Sequence, residues 1–195
     1  MLAQLSVTSA EVAPARAPEP APQRFELGVP LAHTAGLFLT MRMTEAVLWP
    51  NPFADTRPRV WFQHYGEAFG KPPLFDSSAR AFEWDHDRWT INVLGHGLLG
   101  SELYYRPRRC GASPLGALAF AVGATVAWEY AFEGNGVRPS ALDLVYTPLS
   151  GLLLGEGRYW GYTLSRGVSN RTLRGALQLL FDPLGEIERS LGSDC

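Results

Sequence analysis

The chain has 195 residues, of which 46% are hydrophobic and 12% aromatic, so it can bury one sizeable core. Its formal net charge of −2 at pH 7 provides no electrostatic footprint for nucleic acid, although nearly all of its basic residues are arginine. These values exclude a nucleic-acid-binding protein and a chain that is disordered throughout. They favour one main domain.

Residues 1–24 differ in composition from the rest of the chain. They begin with a short apolar run that ends in small residues, LSVTSA, but they lack the positively charged start of a full signal peptide. The part that follows is rich in proline and alanine, which favours an extended spacer. The segment is therefore either a signal-peptide remnant with a spacer, as in exported envelope proteins, or an ordinary disordered tail. Residues 25–195 are predicted to form a single helical domain.

Two helices are predicted before residue 74. The first begins near Pro30 and ends at Trp49, directly before a proline. The second is shorter and ends at Gly70, which a pair of prolines follows. The stretch from Leu74 to Trp84 is predicted to be a loop.

The stretch DHDRWTINVLGHGLLGSELYYRPRR is predicted to be a helix with one polar stripe. At about 100° per residue, Asp85, Trp89, Asn92 and His96 fall within roughly 60° of one another. Asp85 is placed to cap the helix, and Asp87 lies in the first turn, where the helix dipole favours acids. Capping does not explain Asn92 and His96, which lie deeper in the helix. We expect His96 to contact a carboxylate, because a buried imidazole needs a partner for its N–H.

Two later helices are apolar on nearly every side. One is capped by Ser113 and carries no charge through Ala127, but its apolar run is shorter than the roughly 20 residues of a membrane span. The other runs from Val145. Such a helix lies either at the centre of a soluble bundle or partly in lipid, and the core position is favoured. Gly123 and Gly151 are expected to mark close contacts between helices.

Carboxylates follow the first apolar helix. Glu129 and Glu133 are four residues apart on one helical face, where like charges repel. An arginine, a metal ion or protonation of one carboxyl must compensate, and pairing with an arginine such as Arg106 is favoured.

Three further polar residues lie in the next segment. Ser140 and Asp143 have the spacing of a capping box, so Asp143 is more readily explained as a cap than as a catalytic group. Glu156 lies near the far end of that helix, where an acid opposes the dipole, and it therefore needs a partner. The two cysteines, Cys110 and Cys195, form no disulfide framework and no zinc spacing, so free thiols are favoured, with pairing left open.

The order of these motifs resembles an uncharacterised family of bacterial domains found in predicted cell-envelope proteins. The motifs are D-x-D-x4-N-x2-G-H-x3-G-S, YY-x2-R, WEY-x2-E and PS-x2-D-L-x2-TP-x2-G-x3-GE, and they cover about residues 83–161. Gly97 departs from the pattern, in which proline follows the histidine. The resemblance implies a helical bacterial envelope domain and transfers no catalytic residue.

The chain is thus predicted to be an all-α bundle of five or six helices without the motifs of known hydrolases or nucleotide-binding enzymes. The first functional hypothesis is a non-catalytic envelope module with a buried polar network. The second is an envelope hydrolase that acts on a lipid or glycan with His96 as base, with or without a divalent metal. A small membrane protein with several spans is a third.

No organic cofactor and no nucleic acid are predicted, and membrane lipid or other envelope components are open as partners. The candidate catalytic residues are His96, Glu129 and Glu133, and the candidate binding or network residues are Asp85, Asp87, Asn92, Arg106, Ser140, Asp143 and Glu156.

Overall fold

The fold is known from a computed structural model that describes residues 25–50, 57–190, 192 and 195. Within these residues the chain is helical without a β-strand, and only an isolated backbone bridge joins Leu74 to Ser140. The predicted all-α bundle is therefore confirmed. The tail of residues 1–24 lies outside the described residues.

Eight α-helical segments form this part of the chain, and π-helical segments extend three of them. Thr90–Gly95 leads into α3, Trp128–Phe132 continues α4, and Gly151–Gly155 joins α5 to α6 without a break. The α-helices are α1 (Gly28–Leu48), α2 (Pro58–Gly70), α3 (His96–Arg109), α4 (Pro114–Ala127), α5 (Ala141–Ser150), α6 (Glu156–Ser165), α7 (Arg171–Phe181) and α8 (Pro183–Ser190).

Local sequence signals account for most of these helix ends. The Ser113 hydroxyl accepts a hydrogen bond from the Gly116 N–H at 3.1 Å, and Pro114 occupies the first helical position. α1 ends at Leu48, just before the Trp49-Pro50 pair, and α2 ends at Gly70, as predicted.

The predicted cap at Asp85 is wrong, because the helix begins only at Thr90. His86 adopts a left-handed backbone conformation, with φ of 74°, which interrupts any helix that passes through it. The Asp85 carboxylate instead accepts a hydrogen bond from the Asp87 N–H at 3.1 Å within this turn.

α3 lies at the centre of the bundle, and nearly all of its residues from His96 to Pro107 are buried. It runs parallel to the continuous helix α5–α6, since His96 contacts Thr147 near one end and Tyr104 contacts Glu156 further along.

α1 and α4 run in the opposite direction. The Glu26 N–H, just before α1, donates to the carbonyl of Cys110 at the end of α3. At the other end of α1, the Arg42 guanidinium donates to Asn135, which follows α4. Cys110 also forms a disulfide with Cys195, so the preference for free thiols is wrong. The spacing of two cysteines 85 residues apart does not reveal their proximity.

Glycine allows α3 and α5–α6 to approach closely. A Cβ atom at Gly100 would overlap the carbonyl of Thr147, and one at Gly151 would overlap the carbonyl of Gly100. The expected close contact at Gly151 is therefore confirmed. The one at Gly123 is wrong, because within the described residues nothing outside the backbone of its own helix lies within 4 Å of the position that a Cβ atom would occupy.

These two environments lead to a stability prediction. We expect Gly100→Ala to lower the free energy of unfolding by about 1 to 3 kcal/mol or more, because the methyl group has to displace a backbone carbonyl. Gly123→Ala, the matched control, should be neutral or stabilising by up to about 1 kcal/mol, since alanine favours helix. Thermal unfolding followed by circular dichroism measures both. Equal shifts in the two variants would contradict the close contact at Gly100.

Candidate functional site

Three buried side chains from three helices converge at one end of the bundle. His96 begins α3, Glu129 lies on the π segment that continues α4, and Asp143 lies in the first turn of α5. One nitrogen or oxygen atom from each lies within 4.8 Å of those of the other two. The sequence had put forward His96 and Glu129, with Glu133, as candidate catalytic residues, and Asp143 as a candidate network residue more readily explained as a cap.

His96 is held through both ring nitrogens. Its Nε2 lies 3.4 Å from Asp143 Oδ2, and its Nδ1 lies 3.1 Å from the hydroxyl oxygen of Thr147. The expected contact between His96 and a carboxylate is confirmed, and Asp143 provides it. Thr147 was not predicted as part of the site, and the only signal for it was its position in the TP motif of the chain.

Ser140 connects the elements around this cluster. Its hydroxyl accepts from the Asp143 N–H at 3.1 Å and donates to Asp85 at 2.6 Å, while its own N–H donates to Glu129 Oε2 at 2.9 Å. Ser140 therefore caps α5 as predicted. In a complete capping box the Ser140 N–H would donate to the Asp143 carboxylate. Here it donates to Glu129 instead, so the reciprocal half of the box is absent. The Asp143 side chain is consequently available to His96.

Asp85 and Asn92 support this arrangement from the preceding turn. The Asn92 amide donates to Asp85 Oδ1 at 2.7 Å and to the Phe82 carbonyl at 2.9 Å. Burial raises the pKa of Asp85, but hydrogen bonds from Ser140, Asn92 and the Asp87 N–H outweigh it, and the pKa is lowered on balance. Burial, followed by the nearby charge of Asp85, raises the pKa of Asp87 to about 6. Asp85 is thus an ionised acceptor in the network.

Two carboxylate oxygens of the cluster have no hydrogen-bond partner among the residues that the structure describes. They are Glu129 Oε1 and Asp143 Oδ1, and both are buried. The favoured pairing of Glu129 with an arginine is wrong, since no arginine within residues 25–50 and 57–190 forms an ion pair with Glu129. Glu133 lies outside the cluster, one residue beyond the end of the helix, with Arg42 and Glu45 as its charged neighbours beside Glu129.

Arg106 belongs to a second network further along α3. Its guanidinium forms ion pairs with Glu102 at 3.2 Å, Asp182 at 3.1 Å and Glu188 at 3.2 Å. Glu102 also pairs with Arg158 at 2.7 Å. Arg106 is a network residue as predicted, but it stabilises carboxylates that sequence reasoning had not singled out.

Glu156 has the partner that its position requires. Arg108 binds both of its carboxylate oxygens, at 2.8 and 3.0 Å, and the Tyr104 hydroxyl donates to it at 2.8 Å. The interpretation of Glu156 as a residue at a helix C-terminus is wrong, because the helix continues through it from α5 into α6.

A family model for a domain of unknown function, DUF3943, matches residues 81–184. The chain belongs to this family. The DUF3943 match contains every residue of the His96 cluster and its supporting turn, whereas α1 and α2 lie outside it. No curated protein and no solved structure shows a significant match to the chain. The predicted membership of an uncharacterised domain family is confirmed, and the bacterial envelope location stays a prediction.

Proposed function

We propose that this chain is a membrane-embedded helical module of the bacterial cell envelope, whose buried polar side chains fix the packing of its helices. The observation that carries the proposal is the distribution of side chains in the long helices. Their outward faces are apolar, and their charged and polar residues point inward. A protein surrounded by water has the opposite pattern, because charged side chains are almost never buried unless paired.

α1 shows this distribution along its whole length. Leu31, Leu39, Met43 and Val47 lie on its exposed side. The basic and acidic side chains of the same helix face the bundle, where Arg42 pairs with Glu45 and donates to Asn135, and His33 contacts Glu102 and Glu188.

The helix Pro114–Phe132 is long and apolar enough to cross a membrane, by length and composition, and it is the one such helix among the residues that the structure covers. Its 19 residues would span about 28 Å at 1.5 Å per residue, close to the roughly 30 Å of a bilayer core. Only 28% of the most apolar stretch of 18 residues in this helix is buried. A core helix of a soluble bundle would be covered over most of its surface, so this low burial favours the lipid alternative over the core position.

The continuous helix α5–α6 repeats the pattern on another side of the bundle. Val145, Leu149 and Leu153 are exposed, while Thr147 and Ser150 are buried against α3. Because α1, α4 and α5–α6 each pack against α3 and each expose an apolar face, a partner protein would have to cover three separate helices. A bilayer covers all of them at once.

The buried networks fit this environment, since polar side chains within a membrane face the interior of the protein and pair there. The alternative of a hydrolase has less support. His96, Glu129 and Asp143 are all buried, so a lipid or glycan would reach them only after the helices had separated. We therefore favour the non-catalytic role.

The proposal is tested by extraction of membranes from cells that produce the full chain from its native locus, including any upstream in-frame start codon. We expect the protein to sediment with membranes, to resist alkaline carbonate and urea, and to dissolve only in detergent. A peripheral membrane protein of the same cells serves as the control that carbonate releases. Recovery of the chain in the soluble fraction, or its release by carbonate, would contradict membrane embedding.

A further inference from the structure

We propose that His96, Glu129 and Asp143 bind one divalent transition-metal ion. The three residues provide one imidazole and two carboxylates, which are donors that such ions accept in proteins. They come from three different helices, so an ion bound by all three would join α3, the end of α4 and the start of α5.

The unpartnered oxygens are the first independent sign of a ligand. Glu129 and Asp143 are each 2% exposed, and each has one buried carboxylate oxygen without a hydrogen-bond donor. Buried carboxylates in proteins are normally paired with a cation or fully hydrogen-bonded. Asp85 adds a third carboxylate to the same network through Ser140, and no arginine or lysine of the described chain forms an ion pair with any of the three. A dication would allow all three carboxylates to be ionised together.

The orientation of His96 is the second sign. The Thr147 hydroxyl can accept the proton of Nδ1, which leaves the lone pair of Nε2 directed toward Asp143. Metal-binding histidines have this arrangement, in which the second ring nitrogen donates to a neighbouring acceptor and fixes the tautomer. Glu129 is oriented in a comparable way, because the Ser140 N–H holds one carboxylate oxygen and leaves the other free.

The spacing of the donor atoms can accommodate a metal ion, and the types of donor indicate the class of ion. Ligand atoms about 2.1 Å from a tetrahedral metal lie roughly 3.4 Å apart. The observed upper limit of 4.8 Å therefore requires the donor atoms to approach one another by at most about 1.4 Å, which side-chain rotation can supply. A nitrogen donor with two carboxylates suits zinc, manganese, iron(II) or cobalt(II) better than calcium or magnesium, which prefer oxygen ligands alone.

Shared protons are the competing explanation for the same cluster, since protonated carboxyl groups would also relieve the repulsion. The two explanations differ in their response to chelators. A proton-sharing network is unaffected by metal removal, whereas a metal site loses stability because the ion binds only the folded state.

The test uses the full chain, purified in detergent, stripped with a chelator and then titrated with cobalt(II) at neutral pH. We expect saturation at one equivalent, with visible absorption bands of nitrogen and oxygen coordination, and competition by zinc. His96→Ala and Asp143→Asn should each weaken cobalt binding at least about 100-fold, and Thr147→Val should weaken it about 10- to 100-fold through the loss of the Nδ1 acceptor. His64→Ala, which changes a histidine outside the cluster, should leave binding unchanged.

A second measurement covers variants that fail to fold. The melting midpoint of the stripped wild-type protein should rise when zinc is added and fall again when the chelator is restored. Absence of cobalt binding, binding that survives in His96→Ala, or a midpoint that does not respond to zinc would each overturn the proposal. These outcomes are independent of membrane location, because the measurements are made on the purified chain.

Discussion

Arg106→Met should destabilise the fold by about 3 to 5 kcal/mol, because it removes the buried guanidinium that joins three acids of one network. The Arg106 side chain is 1% exposed and pairs with Glu102 and Asp182, which are also buried. Methionine retains most of the apolar stem but offers no donor. Glu102 then keeps only its contacts with Arg158 and His33, and Asp182 keeps only the longer ion pairs with Arg109 and Arg189, so water or protons have to fill the vacated centre of the network.

Denaturant unfolding of the detergent-purified chain measures this loss. Arg166→Met changes an arginine on the surface and should change the free energy of unfolding by less than about 0.5 kcal/mol. A midpoint of Arg106→Met equal to that of the wild-type protein would show that the network does not hold the helices together.

On the proposed membrane embedding, Leu153→Asp should prevent stable insertion, with a cost of about 2.5 to 3.5 kcal/mol for a charge on a helix face in the hydrocarbon core. Leu153 lies midway along the continuous helix from residue 141 to residue 165 and is 75% exposed. If the helix faced water, the same substitution would change stability by no more than about 0.5 kcal/mol. The two environments therefore predict clearly different results.

The fraction of chain recovered in carbonate-resistant membranes is the measurement. Leu153→Ala controls for the loss of side-chain volume, and Ser77→Asp places the same charge on the exposed turn that follows α2. Both controls should insert like the wild-type protein. Normal insertion of Leu153→Asp would show that this face of α5–α6 does not contact lipid.

Sequence reasoning predicted the helix ends well where short-range chemistry determines them. Ser113 and Ser140 cap helices because their hydroxyl groups accept from backbone N–H groups three residues later, an interaction that the local sequence specifies completely. The helix start predicted at Asp85 was wrong, since the residue types around His86 do not specify its left-handed backbone. The positions of helix starts were therefore predictable only where the cap itself was the cause.

The candidate site was predicted in part. His96 and Glu129 were selected because a histidine and an acid in apolar helices require partners, and this argument does not depend on the fold. Asp143 was assigned to a cap, because the sequence could not show that Glu129 would take the Ser140 N–H. Partner choice among acids and arginines depends on which helix faces meet, and that information is not local.

The same limitation explains the two glycines. Gly123 and Gly151 have similar apolar surroundings in the sequence, yet only Gly151 contacts a neighbouring backbone. A glycine permits a close approach but does not indicate which partner uses it.

The three π segments change how relatives of this chain should be aligned. Each π turn accommodates one residue more than the α-helix it interrupts, so the phase of the helical wheel shifts where Thr90–Gly95, Trp128–Phe132 and Gly151–Gly155 occur. A wheel drawn from Pro114 is therefore out of phase by the time it reaches Phe132, at the end of the second segment. Gap placement normally moves a one-residue deletion to the nearest loop, but within these segments the deletion belongs inside the helix. A relative with such a gap has restored a regular α-helix there, and its residues beyond that point keep the neighbours that the corresponding residues have in this chain.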